Sequence, residues 1–389
     1  MAQTPTVLAL LALVTSVGCL ATLFLRHGFW HAAPRLPESA PPLASWPEVT
    51  VVMPARNEAD VIARSIASLL RQDYPGRFSV VLVDDRSEDG TAAFAGAVAA
   101  ELGAAARLTV VEGAPLPSGW TGKMWAVEQG VRRAEGLSDA VYFLLTDADI
   151  MHDQGNLRRL VTKAESERLD LVSLMVLLRA ESFWEHLLIP AFVFFFQMLY
   201  PFPQVNRRET GIAAAAGGCM LVRRGVLDRI GGVDSIRHEI IDDCALARRV
   251  KAVGAVWLGA AGAASSIREY RSWRPIWNMI ARCAFAQLGY SASALVGTVA
   301  LMSVMYLAPP LLLLLSDASA GRMLGATAWL GMSLAFLPIL RSYRCPIGLA
   351  PLLPGIALFY TAATVASAIL FWRGRGGYWK GRFQAAPIS

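Results

Sequence analysis

Apolar positions fall along this chain in two regimes. Between residues 48 and about 262, short continuous apolar runs alternate with segments of helical period. The runs predict strands at 49–53, 79–83, 107–111, 140–145 and 169–176. The 3.6-residue pattern predicts helices at 59–72, 123–134, 156–168 and 242–252. Strands apolar at every position must be covered on both faces, so this alternation predicts an α/β domain built on a mostly parallel sheet.

The second regime is long and nearly uncharged. Residues 6–25 have the length of one membrane crossing, and residues 1–6 lack the Lys or Arg that the basic start of a signal peptide would require. The first basic residues, Arg26 and Arg35, follow the segment. By the positive-inside rule, residues 1–26 are expected to be an anchor whose N-terminus lies outside and whose following domain is cytoplasmic. Residues 27–47, with a Pro/Ser/Ala-rich second half, are a linker.

Three further apolar blocks lie at 292–315, 323–340 and 351–372, and Pro309-Pro310 predicts a kink in the first. If all three cross, the basic tail (373–389, with Arg373, Arg375, Lys380 and Arg382) ends outside, against the positive-inside rule. Two crossings and three crossings are both open on the sequence. Two stretches read as interfacial. Residues 183–202 are aromatic, contain Pro190, and carry Glu185 and His186. Residues 271–291 place Trp273, Ile276, Trp277, Ile280 and Ala284 on one helical face, with Arg274, Asn278 and Arg282 mainly elsewhere.

Composition agrees with a membrane setting: 55% of residues are hydrophobic, 17% are charged, and the net charge is +6. That excess suits lipid head groups or phosphates, and no basic run with interleaved aromatics suggests a nucleic-acid partner. Five scattered cysteines without a CxxC argue against a disulfide framework or a zinc site.

The candidate chemistry sits where strands end. The first strand runs into Pro54, Arg56, Asn57 and Glu58; the second closes on Asp84-Asp85; the fourth on Asp147-Ala148-Asp149. Any one of these is an ordinary helix cap. Three at the carboxyl edge of one sheet are costly without a cation or a donor-rich ligand, and that edge is where open α/β sheets bind ligands. Neither GxGxxG nor GxxxxGK[ST] occurs, so a dinucleotide site and a P-loop are unsupported. Lys123 opens a helix as a point charge for a phosphate. Asp242-Asp243 opens another, as a cap or a general base, and Gly217-Gly218 would let a substrate approach the backbone.

In order, Pro-x-Arg-Asn-Glu, Val-Asp-Asp-x-Ser-x-Asp-Gly-Thr, Gly-Lys, Thr-Asp-Ala-Asp, Gly-Gly-x-Met and Asp-Asp-x-Ala-Leu-x-x-Arg resemble a family 2 glycosyltransferase of GT-A fold over residues 48–290. The whole chain, with its apolar ends, resembles the hopene-associated glycosyltransferases of the HpnB type. The resemblance implies a catalytic domain over residues 48–270. Pro54, Arg56, Glu58, Asp84 and Asp85 would serve the nucleotide, with Glu58 and Asp85 on base and ribose. Lys123 would lie near the nucleotide. Asp147 and Asp149 match the DxD motif, with Asp149 as the direct ligand of Mg2+ or Mn2+. Asp243 matches the catalytic aspartate, and Asp242 replaces the usual glutamate of the pair. Gly217, Gly218 and Arg282 would border the acceptor or the diphosphate. The Gln-x-x-Arg-Trp motif of processive synthases keeps only Arg282, so transfer of one sugar or few is expected. The tail 377–382 (GYWKGR) resembles a basic-aromatic element that follows the last helix of lipid glycosyltransferases, which favours a cytoplasmic tail.

The expected reaction is inverting transfer from a nucleotide-sugar, UDP-linked, to a hydroxyl of a lipid such as a hopanoid. The setting would be a bacterial-type inner membrane, with several crossings and the catalytic domain facing the cytoplasm. Two alternatives stand beside it: a polyprenyl-phosphate sugar synthase, and a non-enzymatic scaffold on a glycosyltransferase-like domain.

Overall fold

The computed structural model describes residues 43–384 without a break and, before them, residues 15, 17, 18, 21, 25, 28–31 and 33–38. The expected N-terminal anchor lies mostly outside the described residues.

All seven positions of β1, Val49–Ala55, are buried, as a strand covered on both faces requires. Around it run β2 (Phe78–Asp84), β3 (Leu108–Glu112), β4 (Tyr142–Leu145), β5 (Ile150–His152), β6 (Leu171–Leu177), β7 (Met220–Arg223) and β8 (Val256–Ser266). They form one eight-stranded sheet in the order β3-β2-β1-β4-β7-β6-β8-β5. The sheet is mixed: β7 runs against β4 and β6, and β5 runs against β8, while the other pairs are parallel. Strands β5, β7 and β8 were not among the expected ones. The first two are short, and β8 (VWLGAAGAASS) is so rich in Ala and Gly that its strand propensity is weak.

Alternate residues of the central strands feed two cores. On one face Val49, Val51 and Met53 meet α1 (Ile62–Leu70), α2 (Thr91–Glu101) and α4 (Asn156–Ser166). On the other, Val52, Val81 and Val83 meet α3 (Gly122–Glu135), and this core continues through α5 (Phe183–Leu199) and α6 (Asp242–Lys251) into the C-terminal helices. The helix expected from residue 59 begins at Ile62.

Helix α5 is the bridge between the two regimes. Ser182 and Glu185 form a capping box at its start. The fully buried Glu185 carboxylate also accepts from Glu181 N (2.9 Å) and Tyr270 N (2.6 Å), and it faces Arg179 at 3.3 Å. A charge in this apolar helix is thus satisfied at its N-terminal end, where the helix dipole also favours it. Most of α5 is buried between the sheet domain and the apolar helices, rather than lying free on a surface.

The C-terminal part comprises α7 (Trp273–Gln287), α8 (Ala292–Met302), a π-helical stretch Ser303–Leu307, α9 (Ala308–Leu315), α10 (Ser319–Ser342), a 3-10 stretch Ile347–Leu352 and α11 (Leu353–Trp372). Three segments, Ala292–Leu315, Ser319–Ser342 and Ile347–Trp372, are long and apolar enough to cross a membrane. The π stretch precedes Pro309-Pro310, whose missing N–H groups prevent a regular α-helical ladder there.

The fit of α3 on the sheet depends on Gly130. A Cβ there would lie 2.4 Å from Val52 Cγ1 and 3.1 Å from Val83 Cγ2. Gly130→Ala gains about 1 kcal/mol of helix propensity but must push the helix off the strands, an overpacking that costs roughly 1–3 kcal/mol. A lowered unfolding midpoint in thermal melts of the detergent-solubilised protein is expected; an unchanged or raised midpoint would show that the interface yields freely.

Candidate functional site

The loops after β1 and β2 are laced to each other. Asn57 N donates to Ser87 Oγ (2.9 Å), Glu88 N to Asn57 Oδ1 (2.9 Å), Glu58 N to Thr91 Oγ1 (2.9 Å) and Ala59 N to Asp89 Oδ2 (2.9 Å). Asn57 and Arg86 both take positive φ (51° and 56°) to make these turns. Such strained residues persist where surrounding bonds over-determine them. The lacing presents Glu58 and Asp85 side by side at the sheet edge. Asp84, the neighbour of Asp85, instead accepts from Ser87 N at 3.0 Å and closes the turn. Of the two aspartates expected at a nucleotide, this one caps its own loop.

Lys123 is the hub of the site. It follows the N-cap Thr121 on α3, and its ammonium lies 2.9 Å from Asp147 Oδ1 and 3.1 Å from Asp242 Oδ2. Burial would lower its pKa, but Asp147 and then Asp242 outweigh burial and hold it well above the usual lysine value. Asp243 sits beside this triad. Its Oδ2 accepts from Gly217 N (2.9 Å) and its Oδ1 from its neighbour Cys244 N (2.7 Å), so the carboxylate is fixed in place. Burial, followed by repulsion from Asp242, pushes it up to about 6, while Lys123 pulls the other way. Pro54, Lys123, Asp147, Gly217 and Asp242 line one cleft with Met124, Leu227 and Leu246.

A second cluster surrounds Glu58. Arg268 bridges it to the DxD stretch: Nη2 is 2.6 Å from Glu58 Oε2 and Nε is 3.2 Å from Asp149 Oδ2. Ser266 Oγ also donates to Asp149 Oδ2, at 2.7 Å. The C-terminal tail completes this cluster, with Lys380 Nζ 2.9 Å from Glu58 Oε1 and Arg382 Nη1 2.7 Å from Asp85 Oδ2. Arg56 donates to Asp85 O (2.6 Å) and to Lys380 O (3.0 Å). Despite these cations, burial leaves the Glu58 and Asp85 carboxyls above their ordinary values.

Most of the residues expected at the site therefore meet in two adjoining clusters, one around Lys123 and one around Glu58 and Asp85. Gly217 borders the first: a Cβ there would lie 3.2 Å from Lys123 Nζ and 3.5 Å from Asp243 Oδ2. Gly218 faces the core instead, against Val176 and Ile150. Arg282, on α7, has a buried Nε without a hydrogen-bond partner among the described residues. Arg268, Ser266, Lys380 and Arg382 were not anticipated as members of the site. Arg268 follows the weakly patterned β8, and no local signal ties the tail to loops some 300 residues earlier.

The carboxylates can be tested against a divalent cation. Among the described residues no group of three or more His, Cys, Asp or Glu side chains gathers as a metal cage. Mg2+ typically takes one or two carboxylates and completes its shell with water and substrate phosphates. Asp147, with a side chain 36% exposed, and the adjacent Asp149 fit that partial set. They suit an ion shared with a diphosphate, and Asp149 would have to exchange Arg268 for it.

The mixed α/β sheet with acidic strand ends has the GT-A fold of nucleotide-sugar transferases. Residues 50–231 match the family described as Glycosyl transferase family 2. The chain is 29% identical over 229 residues to the beta-monoglucosyldiacylglycerol synthase of Synechocystis sp., a match spanning 55% of this chain and 44% of the relative. It thus spans less than half the length of that relative. Among solved structures, the mannosyltransferase PcManGT from Pyrobaculum calidifontis, in complex with GDP-Man and Mn2+, aligns over 93% of this chain and 98% of its own at TM-score 0.56 and 18% identity. That likeness concerns the fold.

The Asp243 carboxyl should titrate with a midpoint near 6, read by infrared difference spectra against Asp243→Asn. Because Lys123 stabilises the charged form, Lys123→Met should move the midpoint upward. A midpoint that stays in place would separate Lys123 from Asp243 electrostatically.

Proposed function

We propose that the protein is a membrane-bound, inverting glycosyltransferase that moves a sugar from a UDP-linked donor to a hydroxyl group of a lipid. The observation that carries this reading is the fixed Asp243 carboxylate, 2.9 Å from Gly217 N, beside the Lys123–Asp147–Asp242 triad. An acceptor hydroxyl must lose a proton as it attacks the anomeric carbon. A carboxylate with its pKa raised to about 6 is ionised at neutral pH and still basic enough to take that proton. Asp242 is engaged by Lys123, which leaves Asp243 as the base for a single displacement and hence for inversion.

Lys123 is suited to meet the charge that builds on the departing diphosphate, as a desolvated point charge at a helix start. Asp147 and Asp149 would hold Mg2+ or Mn2+, and a bound cation would neutralise that same leaving group. Glu58 and Asp85 are suited to the hydroxyl and N–H groups of the nucleoside, and Gly217 leaves room beside the base. The diacylglycerol-modifying relative and the long apolar helices support a lipid acceptor. A hopanoid hydroxyl remains part of the proposal on the sequence resemblance.

The helix arrangement also supports a topology. The tail after α11 meets Glu58 and Asp85, and Tyr343, after α10, lies against the backbone of Leu178 at the end of β6. Both of these ends meet the sheet domain, which supports an even number of crossings between residues 292 and 372. Ala292–Leu315 and Ser319–Ser342 form the crossing hairpin in this reading, and Ile347–Trp372 enters and returns on the same side. The hairpin turn at Asp317 then faces away from the sheet domain. In inside-out and right-side-out bacterial membrane vesicles, Asp317→Cys should react with a membrane-impermeant maleimide only in the right-side-out preparation. Reaction from the cytoplasmic side would overturn the topology.

For the chemistry, sugar transfer from UDP-sugars to bacterial lipid extract and to diacylglycerol is the test. Asp243→Asn should lower the rate by about 10²–10⁴-fold, the usual worth of a general base, with nucleotide binding retained. Undiminished transfer would remove Asp243 from the mechanism, and undiminished transfer to a polyprenyl phosphate in particular would point to a phosphate acceptor that needs no base.

A further inference from the structure

The tail after α11 makes a defined structure on the face of the site. Trp379 N donates to Arg382 O (2.8 Å) and Arg382 N to Trp379 O (2.9 Å), closing a two-residue turn. Its central residues, Lys380 and Gly381, both have positive φ (44° and 89°), as in primed hairpin turns. This turn aims Lys380 and Arg382 in one direction. Arg382 takes Asp85 with both Nη atoms, at 2.7 and 3.3 Å. Lys380 takes Glu58 at 2.9 Å and Asn57 O at 2.9 Å. Gln384 Oε1 accepts from Gly122 N at 2.7 Å, one of the free amides in the first turn of α3, and Trp379 lies over Gly122, where a Cβ would be 2.8 Å from its ring.

Glu58 and Asp85 belong to the donor site proposed above, and Gly122 adjoins Lys123 at the start of α3. With the tail docked, the Asp85 side chain is 0% exposed and that of Glu58 is 9% exposed. A nucleoside held by these two carboxylates and the docked tail therefore exclude each other. We infer that residues 376–384 are an intramolecular occupant of the nucleoside subsite, a strap that must lift before a donor nucleotide can bind. This rests on the donor-site reading of Glu58 and Asp85.

The strap is built to exchange. Its hold is by the ion pairs of Lys380 and Arg382 and by hydrogen bonds that include Arg56 to Lys380 O and Gly122 N to Gln384, and Gly374, Gly376 and Gly377 hinge it to α11. Its tether is short, so its effective concentration at the site is high and it competes as a local ligand. An occupant of that kind raises the apparent Kd of a nucleotide by the inverse of the fraction of open molecules. It also adds counter-charge to carboxylates that otherwise keep Arg268 on Glu58 and, at 3.9 Å, Arg56 on Asp85.

The experiment uses the full chain in detergent micelles with Mn2+, and UDP and GDP as probes. Trypsin cuts after Lys380 and Arg382, whose side chains are ion-paired in the docked strap. Saturating nucleotide should speed cleavage at these two sites several-fold, and in calorimetry Lys380→Ala/Arg382→Ala should bind nucleotide about tenfold more tightly. The proteolysis arm needs no variant, so it stands even if the double variant folds poorly. Slower cleavage with nucleotide, or weaker binding by a folded double variant, would overturn the inference and make the tail a wall of the donor site. Nucleotide binding with no change in cleavage overturns the strap alone. Absence of binding to the full chain, to the double variant and to a chain ending at Arg375 overturns the donor site itself, and the strap with it.

Discussion

The arrangement of this protein depends on one electrostatic constraint: carboxylates from separate strand ends and a helix start converge on one sheet edge and must be neutralised there. Like charges brought together in a partly buried place cannot all stay ionised without counter-charges. Lys123 answers Asp147 and Asp242, Arg268 answers Asp149 and Glu58, and the tail cations answer Glu58 and Asp85. The counter-charges come from α3, from the segment after β8 and from the far end of the chain. The constraint thus ties the sheet domain to the last residues described.

Strand order makes the convergence possible. β2, β1 and β4 are neighbours and parallel, so their carboxyl ends open at one level. Antiparallel β7 then joins β4 to the far half of the sheet, and the Gly217 loop that precedes β7 arrives at the same edge. Backbone amides from that loop and from the start of α6 fix Asp243. Burial that would make a lone carboxylate costly here raises the Asp243 pKa toward neutrality, while fixed dipoles and Lys123 limit how far it can climb.

The central strands and the acidic motifs at their ends were legible in the sequence because continuous apolar runs have few interpretations, and polar residues that end them have a direction. Asp84 and Asp85 show the limit of that reading. Asp85 lies past the last residue of β2, and the two side chains part there: Asp84 accepts from Ser87 N in its own loop, while Asp85 meets Arg382. β8 was hidden by Ala and Gly, and Arg268 with it. Gly217 and Gly218 looked equivalent in sequence, yet one faces Asp243 and the other faces Val176. The contacts of Lys380 and Arg382 carry no local signature, since charge alone does not say which of many carboxylates it will meet.

The apolar helices and the charged edge are also mechanically one system. Tyr360 of α11 donates to Leu188 O of α5 at 2.8 Å, and Glu185 of α5 takes Tyr270 N, two residues beyond Arg268. From Arg268 the ion pairs run directly to Glu58 and Asp149. A shift of α11 would therefore reach the site by two routes: through α5 to Arg268, and through the hinge glycines to Lys380 and Arg382. Both routes end on Glu58. In the proposed reaction, a lipid seated between these helices would act on the same carboxylate that the strap covers, and so would couple the lipid to the nucleotide without a separate regulatory element.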